Sequence, residues 1–153
     1  MTLDYYTHMA NRLSLIIITL WAGALWMTGV SAYVLFDTLQ DKQLAGSLAG
    51  KLFTVVSYIG LASAFYLLIH RLVQFGTPAL KQMFFWAVFL MLLLVLAGHF
   101  GIQQMLESLK AQALPADVMQ SVFADRFKTW HGVASVAYLV ECLLAIVMVL
   151  KAR

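Results

Sequence analysis

The sequence predicts an all-α integral membrane protein whose four transmembrane helices form an antiparallel up-down bundle. Apolar residues make up 63% of the 153-residue chain and charged residues only 11%, against about 45–50% and about 25% in a typical soluble domain. Four stretches are nearly free of charge, and each has close to the ~20 residues that a helix needs to cross a bilayer. Unpaired backbone groups are too costly in hydrocarbon, so each stretch is expected to be helical. Residues 1–153 are then a single four-span membrane domain.

The first and second spans are predicted at about 13–36 and 52–72. A polar turn that begins at Asp37 separates them, but the apolar residues from Leu44 onward keep a helical period. The second helix is therefore expected to begin before its span, near Leu44. Residues 76–78, Gly-Thr-Pro, predict the turn to the third span, because Gly commonly ends a helix and Pro commonly starts one.

The third and fourth spans are predicted at about 82–106 and 129–150. Pro115 is the strong helix breaker between them. These two helices are therefore expected to project beyond the bilayer and to turn near Leu114 and Pro115. The arm that leads into the fourth span carries an apolar stripe, suited to packing on a neighbour or to lying at the membrane interface. This stripe consists of Val118, Met119, Val122, Phe123 and Phe127.

Four spans place both termini on one side of the membrane. Lys and Arg are divided equally between the two faces, so the positive-inside rule does not choose an orientation. Most acids lie at the face opposite the termini. This asymmetry favours cytoplasmic termini in a bacterial inner membrane. Basic residues occur singly between apolar blocks, so nucleic acid is not an expected partner.

The fourth span has one lipid face and one packed face that holds its polar atoms. At about 100° per residue, His131, Ser135, Tyr138 and Glu141 fall within roughly a third of the helix circumference. Glu141 lies near the middle of the span, where an ionisable residue indicates a functional site such as a proton carrier, a cation site or a substrate contact. A protonated acid that is hydrogen-bonded to Tyr or Ser of a neighbouring helix explains this residue equally well.

Four histidines support an alternative interpretation. By topology His8 and His70 share one face of the membrane and His99 and His131 share the other, as the axial ligand pairs of a two-haem membrane cytochrome would. Haem b is the cofactor of this alternative, and the leading interpretation has no cofactor. The helical wheel turns His99 away from the small-residue side of its helix. Cys142 is the sole cysteine and lacks metal-ligand spacing, so no metal site is predicted.

The sequence favours a protein without enzymatic activity, because no recognised catalytic motif occurs in it. A membrane enzyme that acts on a lipid would need a nucleophile or an acid cluster at the interface. Asp37 and Asp41 come nearest, and their position beside a loop indicates solvated surface. Small residues such as Gly46 and Gly50 are interpreted as helix contacts.

Two sequence blocks resemble a known family. The first is Trp26–Phe36 (WMTGVSAYVLF), which is followed by an Ala-Gly repeat and Lys51–Phe53, and the second is 127–135 (FKTWHGVAS). Both resemble the four-span membrane proteins related to transmembrane protein 205, whose bacterial members carry domain of unknown function 4149. The resemblance implies a four-helix membrane fold and singles out His131 and Gly132. The family has no settled biochemical activity, so the resemblance implies none.

The leading hypothesis is a compact membrane protein whose polar pocket under His131 handles a small solute or ion, or supports a larger membrane complex. Its candidate functional residues are His131, Gly132, Ser135, Tyr138 and Glu141. Four short spans are few for a monomeric transporter, so transport predicts a homo-oligomer or a membrane-protein partner within the lipid bilayer. The alternative is a haem- or metal-binding redox protein.

Overall fold

The structure is a computed structural model that describes residues 2–114 and 116–152. Within these residues the chain is helical and contains no strand. Its longer helices are α1 (Thr2–Thr38), α2 (Lys42–Phe75), α3 (Met83–Leu96), α4 (Gln103–Ala113) and α5 (Ala124–Leu150). A π-helical segment, Ala97–Ile102, joins α3 to α4 without a break. Short 3₁₀ helices occupy Thr77–Lys81 and Val118–Gln120.

Four helical stretches are long and apolar enough to cross a membrane. They are His8–Thr38, Lys42–Phe75, Met83–Ala113 and Ala124–Leu150. Each contains or closely matches one predicted span, which confirms the prediction of an all-helical chain with four such helices. All four are longer than the ~20 residues that a bilayer requires, because the helices continue past the charge-free stretches.

Local sequence determines where these helices end. Helix α2 begins at Lys42, slightly before Leu44, because the carboxylate of Asp41 accepts hydrogen bonds from the first backbone N–H groups of the helix, at 2.9 and 3.0 Å. It ends at Gly76, whose φ of 62° lies in the region that favours glycine. Helix α4 ends at Ala113, as the expected turn requires, and Pro115 lies outside the described residues.

The main core lies where α1, α2, α3 and α5 meet. Trp21 of α1 is fully buried in it. A Cβ atom on Gly60 of α2 would lie 3.0 Å from Trp21 Nε1 and 3.2 Å from Cγ2 of Val95 on α3. The absence of a side chain at Gly60 therefore lets three helices approach closely.

Side-chain hydrogen bonds connect α2 to α1 and to α4. Ser14 of α1 shares a hydrogen bond of 3.2 Å with Nδ1 of His70, near the end of α2. The side-chain amide of Gln103 donates to the carbonyl of Gly50 at 3.2 Å and to the hydroxyl of Thr54 at 2.6 Å, near the start of α2. The first half of α1 therefore lies beside the end of α2, and the start of α4 lies beside the start of α2.

Part of the expected apolar stripe before α5 is buried. Val118 packs with Leu109 in a second, smaller core, and Phe123 and Phe127 lie against it. Val122 is instead 92% exposed. The stripe divides because residues 118–123 form a 3₁₀ turn and bends before α5 begins, so the helical period assumed for the whole arm does not apply there.

Candidate functional site

A cavity of about 570 Å³ extends from one end of the molecule into its interior. Exposed residues line one end of it, where α1 meets α2 and where α4 leads to α5, and we call this end, beside Lys42 and Lys128, the opening. We call the other end, lined by the buried Glu141, the deep end. At ~1.5 Å per residue, the helical stretch from Lys128 to Glu141 is about 20 Å long. The cavity therefore reaches from the polar end of α5 to the middle of the fourth span.

The wall of the cavity consists largely of small and apolar residues. Glycine and alanine contribute much of it, including Gly29, Ala32, Gly46, Gly50, Gly98 and Ala134. A Cβ atom on Gly98 would meet nothing within 4 Å. On Gly46 and Gly50 it would come no closer than 3.7 Å to the Phe36 ring and 3.6 Å to Glu107 Oε1. At these positions small residues leave space for the cavity, a role that differs from the helix contact expected from sequence.

Glu141 is buried at the deep end, with 8% of its surface exposed. Its carboxyl group makes no hydrogen bond to any residue that the structure describes. Two hydroxyl groups that line the same cavity are both hydrogen-bonded to backbone carbonyls instead. The hydroxyl of Tyr138 donates to the carbonyl of Leu25, and the hydroxyl of Ser57, which also lines the cavity, donates to the carbonyl of Phe53 at 2.8 Å. The expected Tyr or Ser partner for Glu141 is therefore not found among these residues.

Tyr138 is fixed against two other helices beside Glu141. Its hydroxyl reaches Leu25 on α1, and its ring lies edge-to-face with Phe53 of α2, with 5.0 Å between centroids. A Cβ atom on Gly29 would lie 3.2 Å from the same ring. The position of this tyrosine thus depends on the absence of a side chain at Gly29.

The other predicted site residues lie closer to the opening. His131 lines the cavity and stacks on Phe127, with 6.0 Å between ring centroids. Ser135 also lines it, and its hydroxyl donates to the carbonyl of His131 at 2.9 Å. Gly132 is exposed and does not line the cavity. The structure therefore brings His131, Ser135, Tyr138 and Glu141 to one wall and leaves Gly132 outside it.

The lysines at the opening all have acceptors close by. Lys42 donates to two carbonyls at the end of α1, at 2.5 and 3.0 Å. Lys110 pairs with Glu107 at 2.9 Å, and Lys128 lies 3.9 Å from Asp125. These pairs are partly or fully exposed, so solvent and salt weaken them. The opening therefore carries both positively and negatively charged side chains.

The remaining histidines lie in separate surroundings. His70 shares a hydrogen bond with Ser14 and lines a smaller cavity of about 270 Å³ near the opposite end of the molecule. His99 lies 3.2 Å from Gln103 and is not among the lining residues of the large cavity. His8 is exposed on α1. In the part of the chain that the structure describes, no three His, Cys, Asp or Glu residues are grouped to hold a metal ion.

The sequence predicts the wall that α5 contributes to the cavity. It does not predict the walls that the other helices contribute. The π-helical segment and the residue after it contribute Gly98, Ile102 and Gln103 to the lining. Such segments are rare and often occur at functional sites. The available signal was the clustering of small residues near the start of the second helix, where Gly46, Ala49 and Gly50 line the cavity.

Comparisons with known proteins give one finding. A family model described as Domain of unknown function (DUF4149) matches residues 15–115. The Trp26–Phe36 block lies inside the matched region, whereas the block that contains His131 follows it. Neither the comparison with curated proteins nor that with solved structures gives a match.

Proposed function

The chain belongs to the DUF4149 family, whose biochemical role is uncharacterised, and we propose that it is a membrane protein that binds a small, largely apolar molecule in the cavity that ends at Glu141. The cavity itself is the observation that carries this proposal. Its volume of about 570 Å³ lies within the ~300–1,000 Å³ typical of small-molecule sites. Walls that are largely apolar between a few placed polar groups are also typical of such sites, and here charged side chains line the opening and Glu141 lines the deep end.

The proposal includes an arrangement in the membrane. The four spans form an antiparallel up-down bundle, the third and fourth helices project beyond the bilayer, and both termini lie in the cytoplasm of a bacterial inner membrane. The cavity then opens on the periplasmic side. The contact between the first half of α1 and the end of α2 supports this arrangement, as does the position of Asp41, Glu107 and Asp117 at the end that holds the opening.

The proposed role is the binding or transfer of a solute, without catalysis. The polar groups at the deep end are Glu141 and Tyr138, and Glu141 forms no hydrogen bond there that would activate a nucleophile. Transport by so small a bundle would require a second copy or a membrane-protein partner.

The test is to fill the cavity with a side chain. Ala134 lines the cavity on α5, so Ala134→Phe places a ring inside it. Val136 lies two residues away on the same helix and is 64% exposed, so Val136→Phe is a matched control that adds the same ring outside. The neutral probe is radiolabelled triphenylphosphine oxide, measured by equilibrium dialysis against the full chain in phosphatidylcholine nanodiscs, with empty nanodiscs subtracted.

We expect saturable binding to the native chain, a loss of at least about tenfold in affinity with Ala134→Phe, and little change with Val136→Phe. Equal affinities in the two variants would place the molecule outside the cavity and contradict the proposal. Absence of saturable binding to the native chain would also contradict it for this class of molecule.

A further inference from the structure

We infer that the molecule bound in this cavity is an organic cation, whose positive charge lies against the carboxylate of Glu141 while its apolar body fills the space towards His131. The inference rests on the proposed function, because it names the charge of the molecule that the cavity holds. Three observations support it: Glu141 has no partner, aromatic rings line the deep end, and the lysines at the opening already have acceptors.

The carboxyl group of Glu141 faces a space in which the protein offers it no partner. It is the single acid within the four predicted spans, it is 8% exposed, and it lines the deep end of the cavity. A buried carboxylate is strongly unfavourable unless a charge or hydrogen bonds compensate it. Among the described residues no such group reaches it, so a cation in the cavity is the partner that would keep this carboxylate ionised.

Aromatic side chains next to Glu141 suit a cation as well. Phe53 and Tyr138 both line the cavity there and hold each other edge-to-face at 5.0 Å. The face of an aromatic ring attracts a cation within about 6 Å of its centroid, and the attraction is larger where water is excluded. Because the Tyr138 hydroxyl is bound to Leu25, the ring is held in position before a molecule enters.

The basic residues that line the cavity do not favour an anion. Among the described lining residues, the lysines are Lys42, Lys110 and Lys128, and all lie at the opening. Each has an acceptor close by, either a carboxylate or backbone carbonyls. No lysine or arginine lines the deep half. An anionic molecule would therefore place its charge at the solvated opening and leave Glu141 unpaired.

Two ions of matched shape and opposite charge test the inference directly. Tetraphenylphosphonium and tetraphenylborate differ in the sign of their charge and little in size, so the ratio of their affinities for the native chain reports charge selection without any substitution. The full chain in phosphatidylcholine nanodiscs is dialysed against each ion, and empty nanodiscs correct for partition into lipid. We expect the cation to bind at least about tenfold more tightly than the anion.

Substitutions then assign the selection to Glu141. Glu141→Gln keeps the shape of the side chain and removes the charge, and it should weaken phosphonium binding at least about tenfold while triphenylphosphine oxide still binds. Glu141→Asp keeps the charge and should retain a preference for the cation. Asp125→Asn removes an acid that does not line the cavity and should change the affinity less than about twofold. Size-exclusion chromatography and circular dichroism check that each variant is folded.

Equal affinities of the native chain for the two ions would overturn the inference, and so would unchanged phosphonium binding by a folded Glu141→Gln. In either case, neutral binding that is still lost in Ala134→Phe would leave the proposed function standing. If Ala134→Phe bound the neutral molecule as tightly as the native chain does, the proposed function itself would be contradicted. The two failures are therefore distinguishable.

Discussion

Replacing Gly60 with alanine tests the close approach of α1, α2 and α3. The added Cβ would lie 3.0 Å from Trp21 Nε1 and 3.2 Å from Val95 Cγ2. Trp21 is fully buried and can move aside only by displacing other core residues, whereas Val95 is nearly buried but borders the cavity. Overpacking of this kind typically costs about 1–3 kcal/mol. This cost opposes a stabilisation of up to ~1 kcal/mol, because alanine has a higher helix propensity than glycine in a helix interior.

Gly132→Ala is the matched control for this substitution. It makes the same change inside a helix, at a position where a Cβ meets nothing within 4 Å. The helix-propensity gain is therefore common to both variants and cancels in their difference. Gly60→Ala should be less stable than Gly132→Ala by about 1–3 kcal/mol, the overpacking cost alone.

The assay is unfolding of the purified chain in mixed micelles by titration with sodium dodecyl sulfate, followed by far-ultraviolet circular dichroism. Near-equal midpoints for the two variants would refute the packing argument, because they would mean that Trp21 and Val95 move aside at no cost.

Two further predictions address the cofactor and the orientation. The absorption spectrum of the purified native chain should show no Soret band; a haem spectrum that disappears in both His70→Ala and His131→Ala would instead support the redox alternative. In a background that lacks Cys142, Ser135→Cys should react with a membrane-impermeant maleimide added outside spheroplasts, because the proposed orientation opens the cavity to the periplasm. Val136→Cys on the lipid face should stay unlabelled, and labelling of Ser135→Cys only after lysis would reverse the orientation.

The sequence predicts the four long helices because charge is excluded from the bilayer core, and this physical cause acts on each residue separately. The ends of the helices depend on other signals. The second charge-free span starts at 52, but the helical period from Leu44 onward predicts an earlier start. Helix α2 begins two residues before Leu44, at Lys42, because the side chain of Asp41 caps it. Hydropathy predicts which residues lie in the membrane, whereas capping residues predict where a helix begins or ends.

The candidate site was predictable on one helix only. The period of α5 places His131, Ser135, Tyr138 and Glu141 on one face, and the structure puts all four along the cavity. Gly132 follows from the family pattern and lies elsewhere. The cavity itself depends on which faces of the other helices meet α5, which is a property of long-range packing. Whether Glu141 has a partner depends on the same packing, so the sequence left both explanations open.

The π-helical segment Ala97–Ile102 determines where the third span can lose a residue without a change in packing. A π turn holds one residue more than an α turn, and one residue of shift rotates a helix by about 100°. The extra residue lets α3 keep its register in the main core while Leu109 of α4 faces the second one. Deleting one residue within these six positions should convert the segment to ordinary α-helix and preserve both registers. The same deletion elsewhere in the third span should turn one of the two buried faces away from its core.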